Sequence, residues 1–142
     1  MKVFYSHKYG CNFFENNRTR EDARKNLTLF SEMKKSPFSA NTMDYSEEDG
    51  VSIHYDVCNY IKEIELFEPN GCFFIGDVDI LGKSAEYLIK ILELQHLKYI
   101  INEDYDGMSI ADNTIKFFIP NLDEEGNIAK VEAVLIKMKD LN

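Results

Sequence analysis

The sequence predicts an α+β fold: a degenerate tandem β-α-β-β repeat forming one mostly antiparallel sheet with two helices on one face. Three observations predict it. Two segments open like helices, Thr19-Arg20-Glu21-Asp22 and Ser84-Ala85-Glu86. Several short segments alternate apolar and polar residues, the period of a half-buried strand. The order of these signals also repeats, with a helix, an acidic stretch and paired strands in each half.

The elements follow from local chemistry. Val3-Phe4-Tyr5 reads as an opening strand. Thr19 is a good N-cap, and Glu21 and Asp22 sit in the first turn, where the helix dipole favours anions. Ala23, Leu27 and Phe30 give that helix one apolar face, and Pro37 ends any continuation. Val51, Ile53 and Tyr55 alternate with Ser52, His54 and Asp56, as Ile64 and Leu66 do with Glu63 and Glu65. Cys72 to Ile75 is a short apolar run. Ser84 caps a second helix whose expected buried stripe is Ala85, Leu88, Ile89 and Leu92, extending to His96. Lys98 to Ile101, Ile115 to Ile119 and Ala129 to Leu135 read as further strands, and Asn121 to Asn127 as an acidic hairpin turn.

The halves, about 1–70 and 71–142, match in order, and no linker rich in Pro, Gly or Ser separates them. One domain over 1–142 is expected, long enough to bury a real core. Asp44-Tyr45-Ser46-Glu47-Glu48-Asp49-Gly50 in one half answers Glu103-Asp104-Tyr105-Asp106-Gly107 in the other. Asp49-Gly50-Val51-Ser52-Ile53 is echoed by Asp106-Gly107-Met108-Ser109-Ile110.

Charge excludes several classes. The chain carries 25 acids against 16 bases, a net charge of -9. Nucleic acid and anionic lipid both want a basic face, so neither is an expected partner. No apolar stretch approaches the roughly 18 residues of a membrane span, and the opening residues have no secretory core. Three cysteines, Cys11, Cys58 and Cys72, lie at no metal-like spacing, so a reduced, cytoplasmic setting is expected. Thirteen lysines against three arginines, with abundant Asn, Ile and Tyr, suggest a bacterial or phage chain from an AT-rich genome.

The motifs that tempt are weak. Gly76-Asp77-Val78-Asp79-Ile80-Leu81-Gly82-Lys83-Ser84 approaches a phosphate loop, but Asp77 stands where the first glycine belongs. A turn with Ser84 as N-cap explains those residues. The same stretch fails as a calcium loop, because Leu81 and Leu88 replace the needed oxygens. Cys58 with His54 has no feature raising it above a surface or half-buried histidine. Arg18, Arg20 and Arg24 cluster at the first helix, where solvated charge or ion pairing to the acidic loops is the ordinary use. No catalytic residue, cofactor or metal site is assigned.

Capped helix-plus-strands units of this kind resemble the fold of β-lactamase inhibitory protein and of small outer-membrane assembly lipoproteins. The chain also resembles immunity proteins encoded beside bacterial polymorphic toxins. The residues carrying the likeness are Thr19-Arg20-Glu21-Asp22-Ala23-Arg24, Gly50-Val51-Ser52-Ile53-His54-Tyr55-Asp56, Ile64-Glu65-Leu66-Phe67 and Gly76 to Ser84. They span most of the chain but form a pattern of caps, strands and turns, and no family binding residue carries over. The resemblance implies a non-enzymatic inhibitor that covers the active site of a basic, nuclease-type toxin. The alternative is a phage or mobile-element inhibitor of a host defence system. An acidic surface gains association rate on a basic partner by steering. The expected contacts are Asp44, Glu47, Glu48, Asp49, Glu103, Asp104 and Asp106, with Tyr45 and Tyr105 as aromatic anchors.

Overall fold

The computed structural model describes residues 1–12 and 18–138. Two sheets and three short helices enclose one core, where the sequence predicts a single sheet with two helices on one face. The first half contributes β1 (Lys2–Ser6), β2 (Gly10–Cys11), α1 (Arg20–Arg24), β3 (Ser31–Met33), β4 (Met43–Ser46), β5 (Val51–Tyr55) and β6 (Ile61–Phe67). The second contributes β7 (Cys72–Ile75), β8 (Val78–Asp79), α2 (Ala85–Leu94), β9 (Ile100–Ile101), β10 (Gly107–Ile110), β11 (Ile115–Phe118), α3 (Leu122–Glu125) and β12 (Ala133–Lys137).

The larger sheet has eight strands in the order β3-β4-β5-β6-β12-β11-β10-β9. Each half therefore supplies four consecutive antiparallel strands, joined where β6 lies beside β12. One row of side chains in register runs Asp44, Ile53, Ile64, Ile136, Ile115, Ile110, and all six are buried. The next row runs Ser46, Val51, Leu66, Val134, Phe117, Met108, again all buried. This is the core face. The residues between these rows point to the other face of the sheet.

The second sheet has four strands, β2-β1-β7-β8, with β1 parallel to β7. It packs against the core face through Phe73, whose ring meets Phe117 edge-on at 5.8 Å. Two features keep it separate. The free edge of β6 is taken by β12. The chain also doubles back after Phe67, where Gly71 N–H donates to Phe67 O at 2.8 Å. That turn is glycine-specific, since a Cβ on Gly50 would stand 2.0 Å from Gly71 N. So β7 returns over the core instead of beside β6.

Both helices start where their caps predict. Thr19 Oγ1 accepts from Asp22 N–H, and Ser84 Oγ from Tyr87 N–H. The first helix stops at Arg24, well short of the apolar face expected to reach Phe30. Thr28 N–H and Oγ1 instead donate to the Asp49 carboxylate, pulling the chain towards the β4–β5 turn. The exposed strand β3 follows, an element the sequence pattern does not signal. The expected strand from Ala129 begins at Ala133, and the expected hairpin turn is the short α3 with a 3-10 turn at Gly126–Ile128. The Gly76 to Ser84 segment supplies the turn and second strand of the β7–β8 hairpin, and its Asp79 accepts from Phe73 N–H and Leu81 N–H.

Candidate functional site: an acidic sheet end

The eight-stranded sheet has two unlike ends. The β4–β5 turn follows Ser46, paired with Val51, at the end where β6 finishes. The register continues from Phe67 to Ala133, to Phe118 and to Gly107. Gly107 directly follows the β9–β10 turn. Both acidic turns therefore emerge at the same end, about 19 Å apart over four strand spacings.

The strand order explains this placement. Of the four strands each half gives the larger sheet, Asp49-Gly50-Val51 leads into the third, whereas Asp106-Gly107-Met108 leads into the second. The echo is one strand out of step. Because β6 and β12 are antiparallel, equivalent turns of the two halves face opposite ends. A one-strand offset brings these two turns together.

The predicted contacts divide. Asp44 is a correction: it is fully buried and cannot touch a partner. Its strand position puts it on the core face opposite Ile53. Its carboxylate accepts from Arg24 Nε and Nη2, both at 2.8 Å, and from Tyr55 Oη at 2.8 Å. The hydrogen bond to Asp44 raises the Arg24 pKa, while burial first and Asp44 second raise that of the Tyr55 phenol. Arg24 also bonds Glu32, and its guanidinium lies 4.8 Å from the Phe30 ring centroid. Arg20 completes the cluster, 4.1 Å over the Tyr55 ring and donating to Thr42 O at 2.6 Å. This group pins α1 to the sheet.

Asp49 and Asp106 are tied down internally. Burial pushes the Asp49 carboxyl up, but bonds from Thr28 and Ser46 outweigh it and hold it below the ordinary range. The Lys116 ammonium, at 3.2 Å, holds Asp106 low in the same way. Tyr45 is half-buried and stacks on Phe67 at 5.6 Å. Glu47, Glu48, Glu103 and Asp104 remain exposed, and Tyr105 is 58% exposed beside them.

The opposite end carries a cleft of about 920 Å³, with Lys35, Met43, His54, Lys62 and Glu63 among its walls. Burial first, then Lys35, lowers the His54 pKa, opposed by Glu63 and Glu65. Among the described residues no three His, Cys, Asp or Glu side chains cluster to hold a metal ion. No described helix is long and apolar enough to cross a membrane. Comparison with protein-family models, curated proteins and solved structures finds no match to any of them.

Sequence reasoning missed Phe67 and Phe118, which stand on the open face between the two turns. The signal was alternation: Leu66 and Phe117 point into the core, so their neighbours point out. Cross-strand register, which brings them into one row, is not written in any single strand.

Proposed function

We propose that this chain is an immunity-type inhibitor that binds a basic, nuclease-type toxin one-to-one and covers its active site. The observation that carries the reading is the meeting of the two acidic turns at one end of the eight-stranded sheet. Four carboxylates there, on Glu47, Glu48, Glu103 and Asp104, face solvent. A nuclease cleft is cationic because its substrate is a polyanion, and a paired set of carboxylates offers it the same charge on a rigid frame. Three other acids are already used in holding that frame, Asp44 by Arg24, Asp49 by Thr28 and Ser46, and Asp106 by Lys116.

The test is co-expression. Each reading frame next to the gene is expressed in a bacterial host with and without this chain. A neighbouring frame that kills alone and is tolerated with the chain supports the reading. That rescue should weaken when Glu47→Gln, Glu48→Gln, Glu103→Gln and Asp104→Asn are combined. Rescue that ignores all four substitutions would remove the acidic end from the interface.

A further inference from the structure

Phe67, Ala133 and Phe118 form one cross-strand row on the sheet face turned away from the core. Tyr45 joins it: its ring stacks on Phe67 at 5.6 Å with planes 10° apart. The two rings belong to β4 and β6, and they meet across β5. They can do so because β5 offers only Ser52 opposite Tyr45, with Gly50 beside Phe67. Phe118, 37% exposed, stands two strand spacings further on, about 10 Å. The ledge so formed runs between the turns that carry Glu47 and Glu48 on one side and Glu103 and Asp104 on the other.

We infer that this aromatic ledge seats arginine side chains of the basic partner, so that the partner is selected for arginine over lysine. The inference rests on the reading of the acidic end as a protein-binding surface. A guanidinium is planar and weakly hydrated, so it can lie on an aromatic ring while its N–H groups reach a carboxylate. An ammonium is a compact, strongly hydrated point charge and gains less from the ring. The chain uses ring and carboxylate together elsewhere: Arg24 lies between the Asp44 carboxylate and the Phe30 ring. On the ledge the rings are flanked by exposed carboxylates in the same way.

The experiment needs no identified partner. Labelled oligoarginine and oligolysine peptides of equal length are titrated with the intact chain at physiological salt, reading fluorescence anisotropy. Oligoarginine should bind about fivefold more tightly, the size of one or two exposed cation–π contacts. Phe67→Leu with Phe118→Leu should bring the two affinities together and leave oligolysine binding unchanged. Phe118→Leu alone, at the more exposed site, is the second variant and should halve the preference or better. Glu47→Gln with Glu48→Gln should weaken both peptides by the same factor. Equal affinities in the parent, or an arginine preference that survives the phenylalanine substitutions, would overturn the ledge while leaving the acidic end as a binding surface. Peptide binding indifferent to the glutamate substitutions would overturn both.

Discussion

The Asp44 carboxylate shows how one residue's strand position decides its role. On composition it belongs with the acidic turn that follows it. Its register opposite Ile53 turns it inward, where only a matched cation makes its burial tolerable. Arg24 reaches it from α1 with two hydrogen bonds, and Tyr55 supplies a third. Asp44→Asn should therefore destabilise by about 3 kcal/mol, read as a lowered urea midpoint at unchanged slope, because it leaves the Arg24 guanidinium short of its counter-charge. His54 gives a second test at this scale. Its pKa is lowered in the folded state, so the unfolded chain binds the proton first. Stability should be complete above the ordinary histidine value, about 6.5, and should fall as pH drops from there through the folded value. His54→Gln should abolish that slope. The carboxyls of Asp49 and Asp106 are lowered too, so the stability they lend persists down to about pH 4 and is lost only as pH falls through their folded values. A chemical-denaturation series in pH separates the two limbs, and a His54→Gln chain that keeps the upper limb would refute the assignment.

Caps and alternation were legible at the scale of the element, and turns that depend on distant contacts were not. Thr19 and Ser84 announce their helices because an N-cap is a local bargain between one side chain and the first free N–H groups. Thr19→Ala should cost about 1 kcal/mol in a thermal melt, with Ser84→Ala similar. The end of α1 could not be read, because what stops it is Asp49, more than twenty residues away, drawing Thr28 aside. The split into two sheets was equally hidden. It depends on Gly50 and Gly71 meeting across a turn, an approach that alternation cannot encode. Gly50→Ala tests that approach. Its φ of +66° is unfavourable for any side chain, and the added Cβ would strike backbone instead of a movable side chain. The expected loss exceeds about 1 kcal/mol, whereas Gly126→Ala, with the same sign of φ but open space around it, should cost less. Equal melting temperatures for the two variants would show that the close approach is not what the turn requires.

At the scale of the whole molecule, each half gives the larger sheet four consecutive strands, and the two halves share one core. The order of caps, acids and strands suggests a repeat, but its echo equates neighbouring strands of the two halves of the larger sheet. That error matters, since an in-step echo would have sent the acidic turns to opposite ends. What sequence could not show is how the halves share elements. β1 belongs to the first half but pairs in parallel with β7 of the second, through four registered residues from Lys2 to Tyr5. β6 and β12 pair through five more. Phe73 on β7 closes on Phe117 on β11, across a core that Val51, Ile53 and Ile64 of the first half also line. A fragment ending near residue 70 would expose one whole edge of β6 and leave β1 without a partner on that side. A fragment beginning near residue 71 would lose β1 from beside β7 and β6 from beside β12. Exposed edges of that length invite aggregation instead of folding. The prediction is that fragments 1–70 and 71–142 each lack dispersed amide spectra when expressed alone and regain them on mixing. The intact chain should unfold in one transition, with fluorescence and far-ultraviolet dichroism tracing the same curve. A stable, folded single half, or two resolved transitions in the intact chain, would mean that each half holds its own core and that the shared strands are an embellishment of two independent units.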